Sequence, residues 1–254
     1  MNKEKRDRLY AILCTCLTIV FIGVMLFMAT DLPHLGLATN PDINEVPEFY
    51  VEEGPEETGA LNAVTAMILH YRAFDTLGES CVLFVAAISV FILLRIDGNA
   101  SNDTIVAIDR RYEPVNDPIL SKTFLILVPA VFMFGIYITM NGHLSPGGGF
   151  SGGAILAAGL LLYLNAYGLA NTERFMTSKL YRRVTALALC FYAAAKGYTF
   201  YMGANGLETF EKTGVPGRIL SAGLILPLNV CVAIVVAMTI YSMYIMIRKG
   251  GFNK

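Results

Sequence analysis

Asn141-Gly142-His143-Leu144-Ser145-Pro146-Gly147-Gly148-Gly149-Phe150-Ser151-Gly152-Gly153-Ala154 places six glycines, a proline and a histidine between two long apolar runs. Gly opens backbone conformations closed to other residues and Pro fixes its own φ, so the stretch reads as a sharply defined turn. Gly149, Gly153 and Ala157 recur at four-residue steps beside Gly152 and Gly159, a spacing that lets neighbouring helices approach closely. The run lacks the Gly-Lys-Ser/Thr ending of a phosphate-binding loop. His143, Pro146, Gly147, Gly148, Gly149, Gly152 and Gly153 are therefore read as a structural loop.

The flanking runs, 123–140 and 150–170, are not isolated. Of the 254 residues 55% are hydrophobic and 15% charged, against about 25% charged in soluble domains. Apolar runs also cover 9–30, 75–94, 184–202 and 219–247, each near or above the ~18 residues that cross a hydrocarbon core. The expected fold is all-α: a polytopic membrane protein of about six transmembrane helices. Residues 59–74 are apolar but short, interrupted by Asn62, His70 and Arg72, and fit either a separate crossing or a half-helix at the outer boundary. The run 219–247 must tilt, kink at Pro227 or emerge from the bilayer.

Charge sets the orientation. With 59–94 making one net crossing, fifteen of the nineteen Lys and Arg fall in the N-terminus, 95–122, 171–183 and the C-terminal tail. The positive-inside rule then puts both termini in the cytoplasm. Residues 31–58, with eight acids, four prolines and no Lys or Arg, form an outer loop. The polar stretch 96–118 divides a first module (1–95, two crossings plus a short helix) from a second (119–254, four helices). The short basic loops make no basic face of the kind nucleic acid needs.

Ionisable side chains at membrane depth are costly and become site candidates. Lys196 sits some 18 Å along its helix, just past the midplane. It either snorkels to the outer interface or faces a hydrated interior where desolvation lowers its pKa. Asp75 and Glu79 are four apart and share a helix face. Such a pair opposes its own ionisation and offers hard oxygens to a cation, although Asp75 also suits a helix cap. His70 and Arg72 are near enough in sequence to pair with either acid. The three histidines lie on separate elements, and the five cysteines sit inside apolar runs. No metal site, cofactor site or catalytic constellation is expected in this chain.

The stretch 142–153 resembles the signature of the B subunit of Mrp-type multisubunit Na+/H+ antiporters, and residues 119–250 are similar to that four-helix subunit. Upstream, Thr58-Gly59-Ala60-Leu61-Asn62-Ala63-Val64-Thr65-Ala66-Met67-Ile68-Leu69-His70-Tyr71-Arg72-Ala73-Phe74-Asp75-Thr76-Leu77-Gly78-Glu79 resembles the C-terminal end of the antiporter A subunit. The same piece occurs as a small subunit of Mrp-derived membrane-bound hydrogenases. The resemblance implies a fusion of two adjacent pieces within a larger prokaryotic cell-membrane complex, with other membrane subunits and the bilayer as partners. It implies a role in ion passage for Glu79; the reading of Lys196 rests on depth alone. Three functions follow. The chain is an ion-path subunit of a cation (Na+)/proton antiporter, the equivalent subunit in the membrane arm of a ferredoxin-dependent oxidoreductase or hydrogenase, or a purely structural assembly subunit.

Overall fold

The computed structural model describes residues 3–32, 44–93, 118–208 and 213–250. Among the described residues the regular elements are all helices, without a strand. The chain divides into two units, Met1–Glu48 and Phe49–Lys254.

The first unit holds α1 (Lys3–Thr30), of which Tyr10–Thr30 is long and apolar enough to cross a membrane. Thr15 and Thr18 donate their hydroxyls back to the carbonyls of Ala11 and Cys14, both at 2.8 Å. That bonding satisfies the threonines inside an otherwise apolar helix, as hydrocarbon requires. The short helix α2 (Glu45–Glu52) follows.

The second unit continues with α3 (Gly54–Thr58), α4 (Ala63–Ala66, prolonged by a π turn over Met67–Tyr71) and α5 (Ala73–Leu93). It ends with α6 (Pro118–Met140), α7 (Gly149–Tyr167), the short α8 (Leu169–Glu173), α9 (Ser178–Ala204) and α10 (Ile225–Gly250). Helix α10 is central and packs on α5, α6, α7 and α9. Residues 59–74 thus make a short helix: four α residues and five π residues span at most ~14 Å at ~1.5 Å per residue, under half the ~30 Å hydrocarbon core. The half-helix alternative is the observed one.

By length and composition, five helices among the described residues can cross a membrane: Tyr10–Thr30, Ala73–Leu93, Ser121–Met140, Gly149–Tyr167 and Ile225–Arg248. The expected sixth, α9, has 27 residues, but Lys196 and the tyrosines 192, 198 and 201 dilute its apolar run. Pro227 also departs from expectation. It sits in the first turn of α10, where its missing N–H would have had no intrahelical acceptor, so no kink is needed there. The stretch expected as a linker, 96–118, lies outside the described residues up to Pro118.

Glycines explain how α7 fits between its neighbours. A Cβ on Gly149 would lie 2.5 Å from the Asn229 carbonyl oxygen, and one on Gly153 2.7 Å from that of Ala233, both on α10. A Cβ on Gly152 would instead run into Thr139 Oγ1 on α6. One glycine stripe admits α10 and the intervening glycine admits α6. Gly153→Val should therefore lower the melting temperature of the assembled complex or prevent assembly, since overpacking costs about 1–3 kcal/mol or more. Gly78→Ala, with open space around it, should leave both unchanged.

Candidate functional site

The site is built where non-helical backbone reaches the bundle. At the turn, Leu144 N–H and Ser145 N–H both donate to Asn141 O at 3.0 Å. The remaining carbonyls are met from α4. Asn62 donates its amide to Gly142 O at 2.9 Å and Ser145 O at 3.0 Å, and Thr65 donates its hydroxyl to Gly142 O at 2.8 Å. Asn62 also donates its backbone N–H to His143 O at 3.1 Å while its side-chain oxygen caps α4 through Val64 N–H at 3.1 Å. One asparagine thereby serves a helix start and a loop some eighty residues away.

The other face of the loop is tied to the approach to α10. His143, fully buried, donates from Nε2 to Arg218 O at 3.2 Å. Its other ring nitrogen, Nδ1, is buried without a hydrogen-bond partner. Gly149 N–H donates to Asn229 Oδ1 at 2.9 Å, and Ser221 donates its hydroxyl to Gly59 O at 2.6 Å. The predicted loop residues behave as packing elements. Gly148 has φ +137°, open to glycine, and is buried; Pro146 and Gly147 are on the exposed rim.

A π turn inserts one residue into a helix and displaces its carbonyls. Here Arg72 N–H reaches back to Met67 O at 2.7 Å. Thr76 donates to Ile68 O at 2.7 Å, and Tyr192 OH from α9 donates to Ala73 O at 2.9 Å. The turn aims His70 and Tyr71 at a pocket of about 440 Å³ whose other lining residues include Phe74, Lys196 and Thr199. Lys196, only 4% exposed, and His70 are thus brought to one cavity. No carboxylate lines it, so it suits proton exchange better than a metal cation. Tyr71 donates to Glu57 Oε2 at 2.6 Å; burial first, then that hydrogen bond and charge, push its hydroxyl above the ordinary tyrosine range and keep it protonated.

The acids are elsewhere. Asp75 lies in the first turn of α5 with its carboxylate 2.6 Å from Arg72 Nη2, both side chains exposed. It is therefore an ion-pair partner and not the N-cap residue; such exposed pairs contribute about 0–1 kcal/mol. Glu79, one turn on, is also exposed and is not among the residues that line the Lys196 pocket. The buried stripe of α5 is Ala73, Thr76, Ser80 and Ala87. Sequence reasoning passed over Asn229 and treated Asn62 as a mere interruption; an asparagine two residues after Pro227 inside an apolar run was the available signal.

Residues 119–242 match the family model of a domain related to the MnhB subunit of Na+/H+ antiporter, and residues 16–112 match that of the E subunit of MBH. An uncharacterised Methanocaldococcus jannaschii protein, MJ1307, is 31% identical over 191 residues, covering 68% of this chain and 71% of that protein. The chain belongs to the family of Mrp-type membrane subunits. A chain in the structure of the membrane-bound sulfane sulfur reductase, an archaeal respiratory membrane complex, is similar at 30% identity. Its TM-score is 0.66, with 94% of this protein and 96% of that chain covered. A probable K(+)/H(+) antiporter A/B subunit of Rhizobium meliloti is 27% identical over 157 residues, 55% of this protein but only 15% of that one.

The Asn62 clamp generates a prediction. Asn62→Ala should expose the loop 141–148 to limited proteolysis and destabilise the assembled complex. It leaves the Ser145 carbonyl without its side-chain partner, at about 1–3 kcal/mol, and removes a helix cap worth ~1 kcal/mol. Wild-type cleavage kinetics in that variant would show that the clamp is dispensable.

Proposed function

We propose that this subunit is a non-catalytic part of a cation (Na+)/proton antiporter module and contributes to an ion path at subunit interfaces. The observation that carries the reading is the outward-facing carboxylate of Glu79 within the membrane-length helix Ala73–Leu93. An ionised acid on the outside of such a helix costs at least ~2.5 kcal/mol against lipid, so a neighbouring subunit or a water-filled path must cover it. The buried Lys196, sharing its pocket with His70, supports proton transfer on the other side of the same helix pair. Glu79 then handles the cation and Lys196 the proton, with Asp75 held by Arg72. Both termini face the cytoplasm, as the distribution of Lys and Arg supports. Residues 1–95 act as the piece resembling the C-terminal end of the antiporter A subunit, 96–118 as the linker and 119–254 as the B-like piece. The setting is a prokaryotic cell membrane, and no cofactor or metal is needed in this chain.

In vesicles containing the whole complex, Glu79→Gln and Lys196→Met should each lower Na+-dependent proton transport at least about tenfold, or ~1.4 kcal/mol, with the complex still assembled. Undiminished transport in both variants, alongside failed assembly in glycine-loop variants, would favour the purely structural reading.

A second reading concerns the host. The counterpart in the sulfane sulfur reductase matches this protein along nearly its whole length, which supports a place in the membrane arm of a redox-driven, ferredoxin-dependent oxidoreductase or hydrogenase. Purification of the intact complex should then bring iron–sulfur polypeptides with it; antiporter subunits alone would exclude that host.

A further inference from the structure

Tyr71 belongs to two structures at once. It lines the pocket of about 440 Å³ beside His70, Lys196 and Thr199. It is also the residue on which 49–58, the acidic stretch before α4, comes to rest. The ring of Tyr50 lies 4.8 Å from that of Tyr71, and the ring of Phe49 meets it edge-on at 6.2 Å. The Tyr71 hydroxyl donates to Glu57 Oε2 at 2.6 Å. The phenol is thus a wall shared by the pocket and the strap 49–58.

The strap is fixed firmly at one end only. At its C-terminal end Thr58 and Gly59 are buried. Gly59 has φ +67°, and a Cβ there would run into the Ser221 carbonyl oxygen, while the Ser221 hydroxyl donates to Gly59 O at 2.6 Å. Toward the other end Phe49, Glu52, Glu53, Glu56 and Glu57 are exposed, and α2 has no buried residue. Among the described residues, the ring contacts and side-chain hydrogen bond that join this end to the bundle all fall on Tyr71. A segment with few buried contacts and one fixed end opens at low cost. Gly59 is its hinge and Tyr71 its latch.

What the strap can move is the side chain of Tyr71. The backbone around it is held, because Tyr71 ends the π turn where Arg72 N–H returns to Met67 O and Thr76 donates to Ile68 O, both at 2.7 Å. His70 stands edge-on to the phenol at 5.4 Å, so a displaced ring changes the pocket at its imidazole. Of the strap's three contacts, the one to Glu57 is charge-assisted and directional, and it selects one position of the phenol. A hydrogen bond at an exposed carboxylate would ordinarily matter little. This one acts on the pocket because its donor is the pocket's wall.

We propose that residues 49–58 are a hinged strap and that Glu57 latches Tyr71 as the gate of the Lys196 pocket. The inference rests on the pocket being the proton site of the complex, but its test reads access and not transport. The two can therefore fail separately: Lys196→Met decides the proton role, and labelling decides the gate. The intact complex carrying Thr199→Cys is placed in lipid nanodiscs, where both faces are open to a membrane-impermeant methanethiosulfonate. Modification is followed by mass spectrometry on the peptide that carries residue 199. Tyr71→Ala removes the wall and should give the fastest labelling. Tyr71→Phe and Glu57→Ala each break only the latch, and each should raise the rate about three- to tenfold. The double variant should be no faster than either alone, because both changes remove the same bond. Glu56→Ala, which removes an equal charge from the same short helix, should leave the rate unchanged. Equal rates in Tyr71→Phe, Glu57→Ala and the unaltered strap would overturn the gate, as would an equal rise in Glu56→Ala. If either Tyr71 variant fails to assemble, Glu57→Ala against Glu56→Ala decides.

Discussion

Backbone that leaves a helix inside or beside a membrane must find its hydrogen bonds within the protein. The turn after Met140 is where this chain meets that demand, and Asn62 answers it. Its amide and N–H serve the carbonyls of Gly142, His143 and Ser145, while its oxygen starts α4. Thr65 adds a bond to Gly142, and Ser221 closes the next contact at Gly59. The matches to two family models meet at this junction: Asn62 and Thr65 lie in the part similar to the MBH E subunit, Gly142 and Ser145 in the part similar to MnhB. Hydrogen bonds across the junction, more than chain continuity, hold the two parts in register.

Buried threonines of the bundle are satisfied locally. Thr139, Thr172 and Thr185 each return their hydroxyl to the carbonyl four residues earlier. That leaves the helix surfaces effectively apolar and frees packing to be decided by size. Gly149 and Gly153 set α7 on α10, Gly152 sets it on α6, and Gly135 is matched to Leu156. The π turn is the exception, because its displaced carbonyls need partners from elsewhere. Thr76 and Tyr192 supply them, fixing the turn that carries His70 to the Lys196 pocket.

Charge is separated by that arrangement. Basic groups share a pocket free of carboxylates, and the acids of α5 face outward. Asp75 has its partner in Arg72.

The sequence by itself determined the all-helical membrane character, five of the spanning helices, the family and the packing role of the glycine stretch. The helices and the packing role follow from composition and periodicity, whereas the family rests on the resemblance of 142–153 and 58–79 to known subunits. For Lys196 it left snorkelling and an interior position both open, and the structure buries the residue. What it left open depended on partners distant in the chain. Whether 59–74 crosses rested on a π turn held by Thr76 and Tyr192. For Asp75 both a helix cap and pairing with Arg72 were open, and the folded backbone decided for Arg72. Asn229 was passed over in the sequence, and only the folded bundle shows its amide oxygen accepting from Gly149, eighty positions away. Hydrogen-bond satisfaction is a property of the assembled bundle, so only the tertiary structure decided which polar residues were spent and which remained.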